Sequence, residues 1–348
     1  MNYAFITGGL GFIGSFIARQ LIEKNHVDKV VCLDHFGRYV DSVRPEFSDY
    51  RKLRLEGILD RVIIERGDAK FFSMLARLID KYRPLYIFHL ASVPLAKLDN
   101  LNTEEALEGN VESTSNIMEV VGQLSQRSGY KPARFVYTSS SMVYGDFIGD
   151  VATEENPTNP KEIYGTMKLA GEVITQGLGR YFDIPITIIR PSAVYGPTDM
   201  NRRVSQIFIE KAFMEEKLKV QGADEALDFT YVRDITNGFV LAATSEQGVG
   251  EVFNITYGKA HTLLEYVICL QKHFPNLQYE ITKRDDFRPK RGTLSIDKAR
   301  KLIGYEPKYS LQDGVDEYVA FIKKHHPMFK NIASSNENRY VEKHGYNF

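Results

Sequence analysis

The chain has 348 residues, 43% of them hydrophobic and 26% charged, with a formal net charge of −1. That length holds one large or two modest domains, and the near-zero charge removes any electrostatic reason to expect nucleic acid or an acidic membrane as partner. No apolar run approaches the roughly 20 residues that span a bilayer, and Met1-Asn2-Tyr3 runs straight into a strand pattern rather than a signal peptide, so a cytoplasmic enzyme is expected.

Residues 3–7 are a short apolar run suited to a buried parallel strand. Gly8-Gly9-Leu10-Gly11-Phe12-Ile13-Gly14 follows at once, then a helix over 15–24 with Phe16, Ile17, Leu21 and Ile22 apolar, then a strand over 30–33 that ends in Asp34. A strand, a glycine turn, a helix, a strand and an acid within so short a stretch predict dinucleotide binding. Gly8 permits the tight turn, Gly11 lets the backbone approach a pyrophosphate at the helix N-terminus, and Gly14 allows close helix–strand packing. Asp34 is placed to hydrogen-bond a ribose diol and favours NAD, since a carboxylate repels the additional phosphate of NADP. Arg38 is the residue that would favour NADP; as a loop residue it reads better as a solvated arginine.

Cys32 and Cys269 lie far apart in apolar surroundings and read as free thiols. A third strand over 62–65 leads to Gly67-Asp68-Ala69, where Asp68 could bind an adenine amino group or cap a helix starting near Phe71. A fourth strand over 86–90 leads to Ala91-Ser92, small residues against which a cofactor could lie; His89, inside that apolar strand, reads as a core residue. A long helix is expected over 104–124, with Val111, Ile117, Met118 and Val121 spaced for burial on more than one side. A fifth strand over 134–138 ends in Thr138-Ser139-Ser140-Ser141-Met142-Val143-Tyr144-Gly145, and strand carboxyl ends are where open α/β sheets place their sites.

A helix over 164–181 then opens with Tyr164 and carries Lys168 one turn on, the same face. A nearby ammonium favours a phenolate, which makes such a tyrosine a general base. The spacing by itself is weak: Tyr279 and Lys283 match it too, on a predicted strand over 279–282. A sixth strand over 186–189 ends in Arg190-Pro191-Ser192-Ala193-Val194-Tyr195-Gly196-Pro197. Beyond it the pattern changes. Helices are expected over 202–216, 235–244, 262–273, 297–302 and 311–325, with short extended pieces around 220, 228–232 and 252–255 and a basic loop, Arg288-Pro289-Lys290-Arg291-Gly292. Residues from 331 on are polar, without a core pattern.

The glycine turn, the run from Thr138 to Gly145, Tyr164 with Lys168, Arg190-Pro191 with Tyr195-Gly196-Pro197, and Asp228-Phe229-Thr230-Tyr231-Val232 together resemble the extended short-chain dehydrogenase/reductase family, in its nucleotide-sugar epimerase and dehydratase branch, over nearly all of 1–325. The resemblance implies an α/β fold, a Rossmann-like doubly wound parallel sheet with a smaller C-terminal α/β substrate-binding lobe. Residues 1–197 would form the NAD-binding domain with 230–260 returning to it, 198–229 and 261–328 the lobe, and 329–348 a polar tail. It implies tightly held NAD on Gly8, Gly11, Phe12, Ile13, Gly14, Asp34, Asp68, Ala69, Leu90, Ala91, Ser92, Tyr164, Lys168 and Pro191. Ser140 would be the catalytic hydroxyl, Tyr164 the base, and Lys168 its support and a ligand of the nicotinamide ribose.

The implied substrate is a nucleotide diphosphate sugar, oxidised at C4 and then either returned with inverted configuration or dehydrated across C5 and C6. Ser140 and Ser141 would face the sugar, and Arg202, Arg203 and Arg291 are candidates for its phosphates, because guanidinium suits bidentate phosphate contacts. Dehydratases of this branch place Asp-Glu after the catalytic hydroxyl; Ser141 and Met142 stand here instead, which favours the epimerase. Two further departures are Ala193 where many relatives have asparagine and Leu227 where many have arginine. A homodimer built on the helices over 104–124 and 164–181 is expected from the family, and a non-catalytic NAD-sensing protein is the alternative of a different class.

Overall fold

The structure, a computed structural model, describes residues 1–37, 48–93, 102–286 and 288–329. Arg38 and the tail from 330 onward lie outside the described residues. Seven parallel strands form the main sheet among them: β1 (Tyr3–Thr7), β2 (Lys29–Asp34), β3 (Val62–Arg66), β4 (Tyr86–His89), β5 (Arg134–Thr138), β6 (Ile186–Pro191) and β7 (Val252–Ile255). Their order in space is β7-β6-β5-β4-β1-β2-β3. The chain reverses direction across the sheet between β1 and β4, and the crevice outside their carboxyl ends is where doubly wound sheets bind ligands.

The apolar runs are continuous because both faces of the sheet are covered. Successive side chains alternate faces: Ala4 and Ile6 of β1 join one hydrophobic cluster with Val30 and Cys32, while Phe5 joins the other with Val31 and Leu33. Helices Phe12–Glu23 and Val232–Thr244 pack together on the first side, and Phe72–Tyr82, Ser113–Ser128 and Ile163–Phe182 on the second. After β6 the chain builds smaller pairs, a parallel one of Leu218–Gln221 with Tyr279–Thr282 and an antiparallel one of Ala226–Leu227 with His261–Thr262. Between them it returns to the main sheet through Val232–Thr244 and β7.

Three expected boundaries move. The helix over 104–124 is interrupted: Thr103–Leu107 is followed by a π-type turn at Glu108–Glu112 and then by Ser113–Ser128. The widened turn brings Gly109 against Val93, whose Cγ2 would lie 2.4 Å from any β-carbon there. The hydroxyls of Ser113 and Thr114 donate back to the carbonyls of Gly109 and Asn110 at 3.0 and 2.6 Å. The helix expected from Arg202 begins at Val204, because Arg202 has a left-handed backbone (φ +47°) that no helix continues through. The polar tail starts after Phe329 rather than at it, since that ring is fully buried and stacked on Phe213 at 5.0 Å.

Candidate active site

The glycine turn closes on itself. Gly8 (φ +68°) occupies the left-handed region, its N–H donates to Leu33 O at 2.8 Å, and Gly11 N–H donates to Gly8 O at 2.9 Å. A β-carbon on Gly14 would come within 2.5 Å of Gly8 O. Helix Phe12–Glu23 has neither a side-chain cap nor an acid in its first turn, so its leading N–H groups remain for an anion. Asp34 stands beside this cradle: its Oδ2 accepts from Leu10 N–H at 3.1 Å and its Oδ1 from Phe36 N–H at 2.8 Å. These features fit a dinucleotide, with its pyrophosphate over the turn and a ribose at Asp34.

The cradle opens into a cavity of about 1430 Å³ that runs from Asp34 and Asp68, past the ends of β4 and β5, to Arg288 and Arg291. Every residue expected to touch cofactor or substrate lines it. Asp68 does not cap the following helix, which starts at Phe72 without a side-chain cap; it accepts instead from Lys70 N–H at 3.0 Å. His89 is a core residue, held between the hydroxyls of Thr7 (2.7 Å) and Thr114 (3.1 Å), with burial pulling its pKa down to about 3.

Tyr164, Ser140 and Ser92 come together in the cavity at the ends of β4 and β5, where both serine hydroxyls favour the ionised phenol. Ser140 Oγ also accepts from Met142 N–H at 3.2 Å, which holds the 3₁₀ turn Ser141–Tyr144 against the strand end. Lys168 is buried below the ring, its Nζ 5.8 Å from the ring centroid and donating to Thr138 O at 2.9 Å. Burial lowers the Lys168 pKa to about 7, and burial raises that of Tyr164 above the ordinary tyrosine value. The other Tyr-x-x-x-Lys match begins on strand Tyr279–Thr282; neither Tyr279 nor Lys283 lines the cavity, and Tyr279 is partly exposed.

Two groups escape sequence reasoning. Behind the serine turn, Glu172 and Arg190 form a buried ion pair, Nη2 to Oε2 at 2.7 Å and Nε to Oε1 at 2.9 Å. Ser139 donates to Glu172 Oε1 at 2.5 Å, and Arg190 Nη1 donates to Tyr144 OH at 2.9 Å. The available signal was Glu172, a carboxylate four residues after Lys168 and so on the same helix face. Glu162 is the second: it caps the tyrosine helix, accepting from Tyr164 N–H at 2.8 Å and Gly165 N–H at 3.0 Å.

At the far end the arginines separate. Arg202 lines the cavity but its Nε lies 3.3 Å from buried Glu210, which offsets its charge. Arg203, N-cap of helix Val204–Phe213, is the cation whose field acts most on Tyr164. Among the described residues Arg291 Nε has no hydrogen-bond partner, and burial lowers the Arg291 pKa to about 10. Ala193 adopts φ +34°, a region asparagine enters more readily than alanine. Among the described residues no helix is long and apolar enough to cross a membrane.

Cradle, acid and serine–tyrosine–lysine end together define a dinucleotide-dependent α/β enzyme. The chain belongs to the NAD dependent epimerase/dehydratase family, whose model matches residues 4–256, and NAD is its cofactor. It is similar to the uncharacterized UDP-glucose epimerase YtcB of Bacillus subtilis, 26% identical over 91% of this chain and 96% of that protein. It is also similar to UDP-glucuronic acid decarboxylase 2 of Arabidopsis thaliana, 29% identical over 89% of this chain and 66% of that one. Among solved structures it resembles UDP-glucuronic acid 4-epimerase from Bacillus cereus, in complex with UDP-glucuronic acid and NAD (TM-score 0.81, 26% identity, 92% of this chain and 99% of that one).

Proposed function

We propose that the protein is an NAD-dependent nucleotide-sugar epimerase that inverts C4 through a transient 4-keto sugar. The observation that carries the reading is the Ser140–Tyr164 pair brought together in the cavity at the end of the NAD cradle, with Ser141 and Met142 following where the dehydratases carry acids. Tyr164 takes the proton of the C4 hydroxyl and Ser140 donates a hydrogen bond to the same oxygen. The chemistry that NAD would supply here is reversible hydride transfer at C4. Lys168 would hold the nicotinamide ribose. Met142 has no proton to give or take, so removal of the C5 proton and expulsion of the C6 hydroxyl lack an acid and base at that turn. The name of the Bacillus cereus 4-epimerase supports C4 chemistry and that of YtcB supports epimerisation; the decarboxylase among the relatives keeps the sugar open.

Residues 1–197 with 230–260 hold NAD in this reading, and 198–229 with 261–328 hold the nucleotide diphosphate sugar. Arg203 and Arg291 are the stronger phosphate candidates, Arg202 the weaker because of Glu210. Incubation with UDP-, GDP-, CDP- and dTDP-sugars, followed by NMR of the products, tests it. An equilibrating pair of C4 epimers is the expected result; a 4-keto-6-deoxy product establishes the dehydratase instead.

Two predictions follow from particular residues. Asp34 makes the protein bind NAD more tightly than NADP, and Asp34→Ala narrows that gap in equilibrium titrations; equal affinity of the unaltered protein for both overturns the role of Asp34. The chain forms a homodimer through the helical layer that includes Ile163–Phe182, whose Val173 and Tyr181 are 61% and 75% exposed. Sedimentation equilibrium at micromolar concentration reports the dimer, and a monomer at all concentrations refutes it.

A further inference from the structure

Glu162 is an unusual helix cap. Serine, threonine, aspartate and asparagine are the preferred residues there, yet a glutamate closes the N-terminus of the helix that carries Tyr164. Both its oxygens are used, Oε2 by the N–H of Tyr164 itself at 2.8 Å and Oε1 by Gly165 at 3.0 Å. The residue is only 6% exposed. Space is kept for it: a β-carbon on Gly165 would lie 2.8 Å from Glu162 Oε1 and 2.6 Å from Met142 O. A carboxylate is thus locked onto the backbone of the catalytic tyrosine; burial raises its pKa, while the two backbone N–H groups and Arg291 favour its ionised form.

We propose that Glu162 is a positioning residue for the reaction, fixing the first turn of the tyrosine helix and supplying the negative charge that opposes ionisation of Tyr164. The inference rests on the reading of Tyr164 as the base. The other groups facing the phenol are the Ser92 and Ser140 hydroxyls, Arg203 from the neighbouring helix cap, Tyr137 of β5 and Lys168 one turn on. Arg203 acts against Glu162, favouring the phenolate that Glu162 disfavours. Glu162 in turn faces Arg291, the cation at the far end of the cavity. A like charge near an ionising group raises its pKa, so the carboxylate keeps the phenol protonated to higher pH than the arginine and serines would.

The test is a set of three variants of the NAD-loaded protein. Glu162→Gln and Glu162→Ser retain an oxygen for the cap and remove the charge, whereas Glu162→Asp retains both. Tyr164 ionisation is followed by tyrosinate ultraviolet absorbance, each variant read against the same variant carrying Tyr164→Phe, and in parallel by the acidic limb of the turnover profile. The Gln and Ser variants move both to lower pH by about half a unit or more, and the Asp variant leaves them in place. A purely structural cap lowers stability in all three without moving the titration, and that result overturns the proposal. An Asp variant that shifts as far as Gln overturns it as well. The absorbance titration needs no substrate: if it moves while no nucleotide sugar turns over, the epimerase reading fails while the effect of Glu162 on the Tyr164 phenol stands.

Discussion

Replacing Tyr164 by phenylalanine lowers turnover by about 100-fold or more, the scale of general acid–base contributions, while folding and bound NAD stay nearly unchanged. The phenol is half-buried and belongs to neither hydrophobic cluster, so removal of its oxygen creates no cavity in the core. Tyr279→Phe leaves turnover within about threefold, because residues four apart on an extended segment stand about 13 Å apart at roughly 3.3 Å per residue, beyond the reach of Lys283. Lys168→Met behaves differently from both. It removes the ammonium proposed to hold the nicotinamide ribose, along with its bond to Thr138 O, so turnover and NAD retention fall together. Steady-state rates on the nucleotide sugar identified by NMR, with NAD content measured on the same preparations, separate the three outcomes. Near wild-type activity in Tyr164→Phe refutes the mechanism whatever the sugar.

Arg190→Ala destabilises the protein by about 3–5 kcal/mol, the cost of leaving one partner of a buried ion pair uncompensated. The side chains of Arg190 and Glu172 are 6% and 3% exposed. Burial disfavours the charged guanidinium, yet the hydrogen bonds and charge of Glu172 hold the Arg190 pKa above its ordinary value. In the variant, Glu172 retains its bond from Ser139 but loses both charged hydrogen bonds. Replacing both residues by methionine recovers much of the stability, since an apolar pair of similar volume removes the buried charge altogether. Turnover does not recover with it, because Ser139 then has no carboxylate to anchor the turn that presents Ser140. Urea denaturation of the single and double variants, together with kcat, distinguishes a stability role from this positioning one: full recovery of kcat in the double variant sinks the positioning role.

The cradle and the order of the elements could be read from local sequence. Gly8, Gly11 and Gly14 follow a five-residue apolar strand, and Asp34 ends the next one, so spacing and residue type decide both the turn and its anion preference. The same holds for Tyr164 and Lys168, where helical periodicity puts both on one face. The two cores were also implicit in the alternation of strand side chains, and the helix Leu311–His325 falls where its pattern places it. The interruption at Glu108–Glu112 was not legible, because it depends on Gly109 meeting Val93 from another segment.

Sequence by itself thus determined the sheet, the NAD cradle and the identity of the tyrosine–lysine pair, each a matter of residues a few positions apart. Tertiary structure decided their charge states and their partners. Burial takes Lys168 down to about 7 and Tyr164 up; Glu210 offsets Arg202, a pairing that the left-handed residue preceding the helix brings about only once folded. Arg190 reaches Glu172 from a strand eighteen positions away, and Arg291 faces Glu162 across more than a hundred. Desolvation and long-range Coulomb energy depend on three-dimensional distance and on exclusion of water, and neither quantity is written in the spacing of residues along the chain.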